Sequence, residues 1–304
     1  MGPSNAPDKG EPMPSVASPF PQNLDVEYYR NNYSDLGNLS DIDLVKHYDK
    51  YGKSEGRRSN SLESRFDFVA LIPPEASSLE IGPYCHPLIK GLAVKYFDVL
   101  NQRDLEKRAS KKEGPIPTAP HIDYVSPVGD LGIIREKFEY VISSHCIEHQ
   151  PDLISHLKHV TRILSPCGCY FILAPDIRYC FDAFMRPSSI ADVLEAHYTK
   201  RKVHTLKSVI EHRAMTTHND SRRHWAGDHG SIDNKANHII AAIEEYNNAH
   251  GGYVDVHAWH FTPDSMTKLI GDLRDTGHID LFVDRVYATR KNSNEFWMIL
   301  RKTG

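Results

Sequence analysis

The chain has no run approaching eighteen apolar residues, so no membrane-spanning helix is expected. Its opening stretch, MGPSNAPDKGEPMPSVASPFPQ, has neither a basic n-region nor an apolar h-region. A secretory signal is therefore not expected, and a cytoplasmic location is the default. Cysteine is scarce. The five residues Cys85, Cys146, Cys167, Cys169 and Cys180 are odd in number and lack framework spacing, which argues against a disulfide scaffold. Cys167-Gly-Cys169 is C-x-C, not the C-x-x-C pair of a zinc ribbon. The net charge is -4, and basic pairs such as Arg57-Arg58 and Lys111-Lys112 are isolated. Without a basic stripe, a nucleic-acid partner is excluded.

What remains is an ordinary globular composition, 40% hydrophobic and 25% charged in 304 residues, enough for one large domain or a domain plus a small module. Histidine is the unusual ingredient. Eleven of the eighteen histidines lie from His197 onward, which directs the search for chemistry to the second half.

Residues 1–22 are rich in Pro, Ser and Gly and carry few large apolar groups, so they are expected to form a disordered tail. Residues 23–61 read as a small helical module. Leu44, Val45, Tyr48 and Tyr51 fall at helical spacing after a Ser40-Asp41 cap, with Gly52 expected to close the helix in the left-handed conformation. The segment carries Asp25, Tyr28, Tyr29, Tyr33, Asp35 and Leu36, then His47, Tyr48, Gly52, Glu55, Gly56 and Arg57. It resembles a module, written D-x-x-Y-Y-x-x-x-Y-x-D-L and H-Y-x-x-x-G-x-x-E-G-R, that recurs in bacterial proteins of surface-polysaccharide assembly. The resemblance implies a partner surface over residues 24–60. The plainer reading is a hairpin packed on its neighbour. No site motif lies in the module, so it is expected to be separable from the rest.

From residue 66 to 304 strands and helices alternate. Strand patterns occur at Ser78–Ile81, Val94–Val99, Ile122–Val125, Tyr140–Ser143 and Tyr170–Ala174, with a helical pattern over 151–164. Phe261–Leu273 is a helix entered at Thr262-Pro263, and Leu281–Thr289 with Glu295–Leu300 is an antiparallel pair. The order predicts an α/β fold built on a mostly parallel sheet with an antiparallel last strand. A polar, His-rich stretch over about 183–252 interrupts it as a helical insertion or lid.

Four pieces follow in order. The first strand ends in Glu80-Ile81-Gly82-Pro83, and Asp98 closes the next strand sixteen residues after Gly82. Ser143-Ser144-His145-Cys146-Ile147-Glu148-His149 follows the fourth strand, and Arg162-Ile163-Leu164-Ser165-Pro166-Cys167-Gly168 precedes the fifth. Gly82 lets backbone pass close to a ligand, and a carboxylate at the position of Asp98 suits ribose hydroxyls. The dinucleotide fingerprint G-x-G-x-x-G is absent.

Together these residues resemble class I S-adenosylmethionine-dependent methyltransferases, whose first motif is written E-x-G-x-G-x-G and whose later motifs run S-S-H-x-x-E-H and R-x-L-x-P-x-G. The match is closest to a bacterial branch associated with glycan or sugar methylation, through Pro175-Asp176-Ile177-Arg178-Tyr179-Cys180-Phe181-Asp182. The resemblance implies a Rossmann-like methyltransferase sheet and S-adenosylmethionine as cofactor. It places Glu80, Gly82, Pro83, Asp98, Ser144 and His145 at the cofactor, with Val128, Gly129, Asp130 and Leu131 around the adenine. The chain departs from the motif at Tyr84 and His86, which replace glycines, and its first helix is expected to be short.

For a hydroxyl acceptor, a base must take up the proton. His145 is the first candidate, His224 and His229 in the insertion are the second, and Asp176 competes with them. Trp225 and Trp259 suit stacking on a sugar face. A metal held by His224, Asp228 and His229, or by Asp176 with His257, matches no spacing template, and none is assigned. The reading is an O-methyltransferase acting on a sugar or glycan-like hydroxyl. Its rivals are a small-molecule or N-methyltransferase of secondary metabolism, and a catalytically silent scaffold in polysaccharide assembly.

Overall fold

The computed structural model describes residues 18–111 and 114–303. Seven strands form one sheet: β1 (Ser78–Ile81), β2 (Val94–Asp98), β3 (Tyr124–Val125), β4 (Phe138–Ser144), β5 (Leu164–Pro175), β6 (Leu281–Tyr287) and β7 (Glu295–Lys302). Their spatial order is β3-β2-β1-β4-β5-β7-β6. All neighbours run parallel except β7, which is antiparallel to both β5 and β6. This is the Rossmann-like methyltransferase sheet.

Alternation along β4 and β5 shows why the sheet lies in the middle. Val141 faces one apolar cluster and Ile142 the other, and Tyr170, Phe171, Ile172 and Leu173 alternate in the same way. The first cluster takes Leu153, Leu157 and Val160 from the helix Leu153–Ile163, and Met266, Leu269 and Leu273 from the helix Pro263–Asp275. Asp152 caps the first of these helices, and Thr262 forms a capping box with Ser265 on the second, with Pro263 at its start. The span 183–252 holds four helices, Ile190–Tyr198, Leu206–Ala214, Ser221–Trp225 and Lys235–Asn248.

Several local expectations need correction. Between β1 and β2 there is no helix, only loop. The third strand is reduced to Tyr124–Val125, its predicted first half Ile122-Asp123 running as loop. Gly52 is right-handed at φ -56, and the helical path continues to Glu55; the left-handed residue is Gly56, at φ 67. Glycine is needed at 52 for space, because a Cβ there would stand 2.3 Å from the Tyr29 hydroxyl.

The N-terminal expectations also change. Residues 1–17 lie outside the described residues, but 18–22, assigned to the disordered tail, are packed. Phe20 is buried edge-on to Phe171 at 5.4 Å, and the Tyr287 hydroxyl donates to the Pro21 carbonyl at 2.8 Å. The module has its own core of Tyr29, Leu36, Leu44 and Tyr48, yet it is bolted to the sheet through Asn60. The buried Asn60 amide donates to the Asn23 carbonyl at 3.1 Å, and its oxygen accepts from the buried Arg290 guanidinium at 2.6 Å. Separability is therefore not what this geometry favours.

Asn60→Ala strips the Arg290 guanidinium of one of its two acceptors and leaves the Leu62 amide unpaired. Urea unfolding should show a loss of roughly 1–3 kcal/mol, the range for orphaned buried donors. Deletion of residues 1–60 should be far more damaging, leaving little folded protein by circular dichroism.

Candidate active site

The strand order reverses between β1 and β4, so the loops leaving these two strands part and open a crevice at their C-terminal ends. A cleft of about 300 Å³ lies there. Gly82, Asp98, Gly129, Leu131, His145 and Cys146 line it from the strand-end loops. Across from them stand His149 and Gln150, Arg108 from the helix Gln102–Ala109, and Tyr253 and Asp255 from the segment just past the insertion. Arg108 and Asp255 pair at 2.6 Å, closing that side.

Gly82 is left-handed at φ 71, and a Cβ on it would sit 2.5 Å from the Cys146 sulfur. No other residue fits that conformation and that contact together. Asp98 is buried at the end of β2. The Leu100 amide donates to its carboxylate at 3.1 Å, and the Val99 and Tyr84 amides add to the hold. Burial pushes its pKa up, against those amides.

Glu80 is not on the cleft wall. It is buried under the loop after β1, accepting from the Leu88 amide at 2.9 Å and the Ile89 amide at 3.1 Å. Its carboxylate shapes the loop in place of the missing helix. Pro83 is buried beside it and Ser144 takes a hydrogen bond from Arg65 at 2.6 Å; neither lines the cleft. In the loop expected around adenine, Gly129 and Leu131 face the cleft. Val128 points to solvent, and Asp130 caps its own turn at the Gly132 amide.

His145 is at the cleft, left-handed at φ 50, but its Nε2 is engaged by Glu295 at 2.9 Å. Burial pulls its pKa down, and the Glu295 hydrogen bond with the Glu148 and Glu295 charges outweighs this, leaving it raised. Its Nε2 is therefore committed to Glu295, which fixes the orientation of the ring at the cleft. Asp176 is fully buried and does not face the crevice. Arg178 grips it at 2.9 and 2.6 Å, and the Thr289 hydroxyl donates to it at 2.6 Å.

His224 and His229 do not line the cleft. They contact each other at 2.9 Å through their Nδ1 atoms, while His224 Nε2 meets the His218 carbonyl. Trp225 lies flat on Tyr179 at 3.8 Å and donates to the Ser293 carbonyl; Trp259 is buried and donates to the Gln150 carbonyl. Both indoles serve as packing elements, and Trp259 also borders a cleft between the insertion helices. On that side the cleft is reached by Tyr253 and Asp255, just past the insertion.

Sequence reasoning passed over the group behind the cleft wall. In the sequence Glu148 stands only within the motif Ser143–His149, but its side chain is wholly buried. His149 and His257 face it, their Nε2 atoms 3.9 and 4.0 Å from its Oε1. Burial lowers the pKa of His257 to about 4. The available signal was the pair Glu148-His149 directly after a strand, together with the density of histidine around His257.

No family model and no curated protein matches the chain. Solved structures do. A SAM-dependent methyltransferase from Methanosarcina mazei is 14% identical, with 80% of this chain and 99% of that one aligned at a TM-score of 0.38. The magnesium protoporphyrin IX methyltransferase ChlM from Synechocystis PCC 6803, solved with SAM bound, is 10% identical over 87% and 98%, at 0.37. A putative Zn-dependent alcohol dehydrogenase from Rhodobacter sphaeroides is 13% identical over 86% and 98%, at 0.44. These likenesses are remote and concern the path of the chain; the fold assignment rests on the strand order and on the antiparallel β7.

Burial raises the Glu80 pKa from 4.5 to about 7, against the Leu88 and Ile89 amides. The folded state therefore binds more protons than the unfolded one between those values, so stability falls as pH rises through that window. The full effect is about 3 kcal/mol. Glu80→Gln should flatten the dependence of Tm on pH between about 4.5 and 7, relative to the parent; parallel curves would show that Glu80 does not titrate there.

Proposed function

We propose that this protein is an S-adenosylmethionine-dependent methyltransferase that methylates a hydroxyl of a sugar or similar polar acceptor in the cytoplasm. The observation that carries the reading is convergence: the loops after β1, β2, β3 and β4 contribute Gly82, Asp98, Gly129 with Leu131, and His145 to one cleft. The residues present fit that cofactor. Asp98 is a buried carboxylate suited to two ribose hydroxyls, and Gly82 leaves bare backbone where a side chain would intrude. Gly129 and Leu131 offer backbone and an apolar face for adenine. The cofactor supplies an electrophilic methyl group on a sulfonium sulfur. The chain's own work is to bind, to orient the acceptor and to exclude water, for which the Arg108–Asp255 pair closes one side.

A polar acceptor is supported by a second cleft, of about 600 Å³, between the insertion helices. Arg186, Asp192, Arg201, Lys207, Ser208 and Glu211 line it, a wall of donors and acceptors suited to hydroxyl groups. Trp259 lines this second cleft and its indole bonds the carbonyl of Gln150, which lines the first, so the two spaces share a wall. A polysaccharide-assembly partner docking on residues 24–60 belongs to the same reading; the exposed Ile42, Val45 and Tyr51 support it.

Calorimetry with S-adenosylmethionine tests the cofactor assignment. The parent protein should bind, and Asp98→Ala should lose at least about tenfold in affinity, because charged hydrogen bonds contribute roughly 1.5–3 kcal/mol each. A parent protein that does not bind would leave only the silent scaffold. A folded Asp98→Ala with parental affinity would remove Asp98 from the site.

A further inference from the structure

Behind the cleft wall lies a cluster that cofactor binding does not use. Glu148 is completely buried, and neither of its carboxylate oxygens has a hydrogen-bond partner among the described residues. A carboxylate in that position is costly unless something of opposite charge meets it. His145 Nδ1 lies 3.7 Å from it, and two further imidazoles point their Nε2 atoms at it, His149 at 3.9 Å and His257 at 4.0 Å. Their rings are nearly perpendicular, at 88° with centroids 4.7 Å apart, so their nitrogens approach from different directions.

The far side of each ring is held by another carboxylate. His257 Nδ1 meets Asp182 at 2.6 Å, and His149 Nδ1 lies 3.1 Å from Asp255. The hydrogen bond of His257 Nδ1 to Asp182 fixes the tautomer that leaves its Nε2 lone pair free, which is how metal-binding histidines are oriented, and Asp255 stands beside His149 as an ion-pair partner. The backbone staples the two halves together, with the Ala258 and Trp259 amides donating to the Glu148 carbonyl at 2.7 and 3.1 Å.

We propose that Glu148, His149 and His257 form a binding site for a divalent first-row transition ion such as Zn2+, with Asp182 and Asp255 orienting the two imidazoles. The donor atoms lie within 4.8 Å of one another. A tetrahedral ion with bonds of about 2.0–2.1 Å spaces its ligands by roughly 3.4 Å, so each histidine needs to close on Glu148 by about half an ångström. Two nitrogens and one oxygen favour such an ion over Ca2+ or Mg2+, which take oxygen ligands. Asp182, His212 and His257 form a second possible grouping. It is the weaker one, because His257 Nδ1 is already occupied by Asp182 and His212 Nδ1 accepts from the His257 amide. With His149 on the cleft wall, the ion would offer a Lewis acid to a group bound there. That role rests on the methyltransferase reading, but the binding site itself does not.

The full chain, stripped with a chelator, is titrated with Zn2+ by calorimetry and with Co2+ by visible absorption, both without S-adenosylmethionine. One equivalent should bind, and Co2+ should give ligand-field bands of an ion held by nitrogen and oxygen. Glu148→Gln and His257→Ala should each weaken binding at least about a hundredfold, and Asp182→Asn about 10–100-fold. His224→Ala should bind as the parent does, and so should Asp98→Ala, which separates this site from the cofactor assignment. Absence of binding by the parent overturns the proposal. So does loss of binding in His224→Ala with retention in Glu148→Gln. Because the Co2+ spectrum is read on the parent protein, a variant that fails to fold leaves that arm of the test intact.

Discussion

The closeness of Gly82 to Cys146 governs how the two central strands leave the sheet. β1 and β4 are parallel neighbours in register, Ile81 beside Ser143, so the turns that follow them start side by side. They can diverge into a crevice only if one backbone passes directly over the other's side chain. Glycine in the left-handed conformation does this at 82, and His145, also left-handed, swings the opposite turn away. Asp98 enters the crevice from β2 because β2 pairs with the far edge of β1. The turns after β1 and β4 owe their separation to that one contact.

Charge completes what the backbone begins. Glu295, at the start of β7, ties three pieces together: Arg65 at 3.0 Å, His145 at 2.9 Å and the Trp297 indole at 3.0 Å. Burial pushes its pKa up, but the bond and charge of His145, with the Arg65 charge, outweigh that and leave it lowered. The antiparallel β7 thus joins the turn after β4 to the helix Arg65–Val69, through a residue that sequence patterning shows only as the first position of a strand. Partnerships of this kind hold His145 in place at the cleft. Its position was readable, but its bond to a residue 150 positions later was not.

The sheet was legible because burial on both faces demands apolar runs at fixed period, as in Tyr170 to Ala174. Gly82, Asp98 and His145 were legible because each sits at a strand end whose order in the chain matches its order in the crevice. Gly129 and Leu131 were found within a four-residue loop, but which two face inward depended on the turn capped by Asp130. The first loop was misread for a physical reason. Glu80 caps the amides of Leu88 and Ile89 with its side chain, supplying the order that a helix would otherwise give, and side-chain caps of this reach leave no periodicity to detect.

Histidine shows the same limit most clearly. His224 and His229 stood out because they are close in sequence to each other and to Trp225 and Asp228. In the fold they satisfy one another and the His218 carbonyl across the short helix Ser221–Trp225 and the loops beside it, where water can still reach part of the group and little is gained by adding a ligand. Glu148 and His257 lie far apart in the chain and meet only because the insertion returns across the turn after β4, held by two amides on one carbonyl. Burial there is complete, so unmatched charge has no solvent to fall back on. Local density of a residue type therefore marked the histidines with the least need of a ligand. The group with the greatest need was assembled by topology, from an acid in the turn after β4 and an imidazole that looked like one more in a long series.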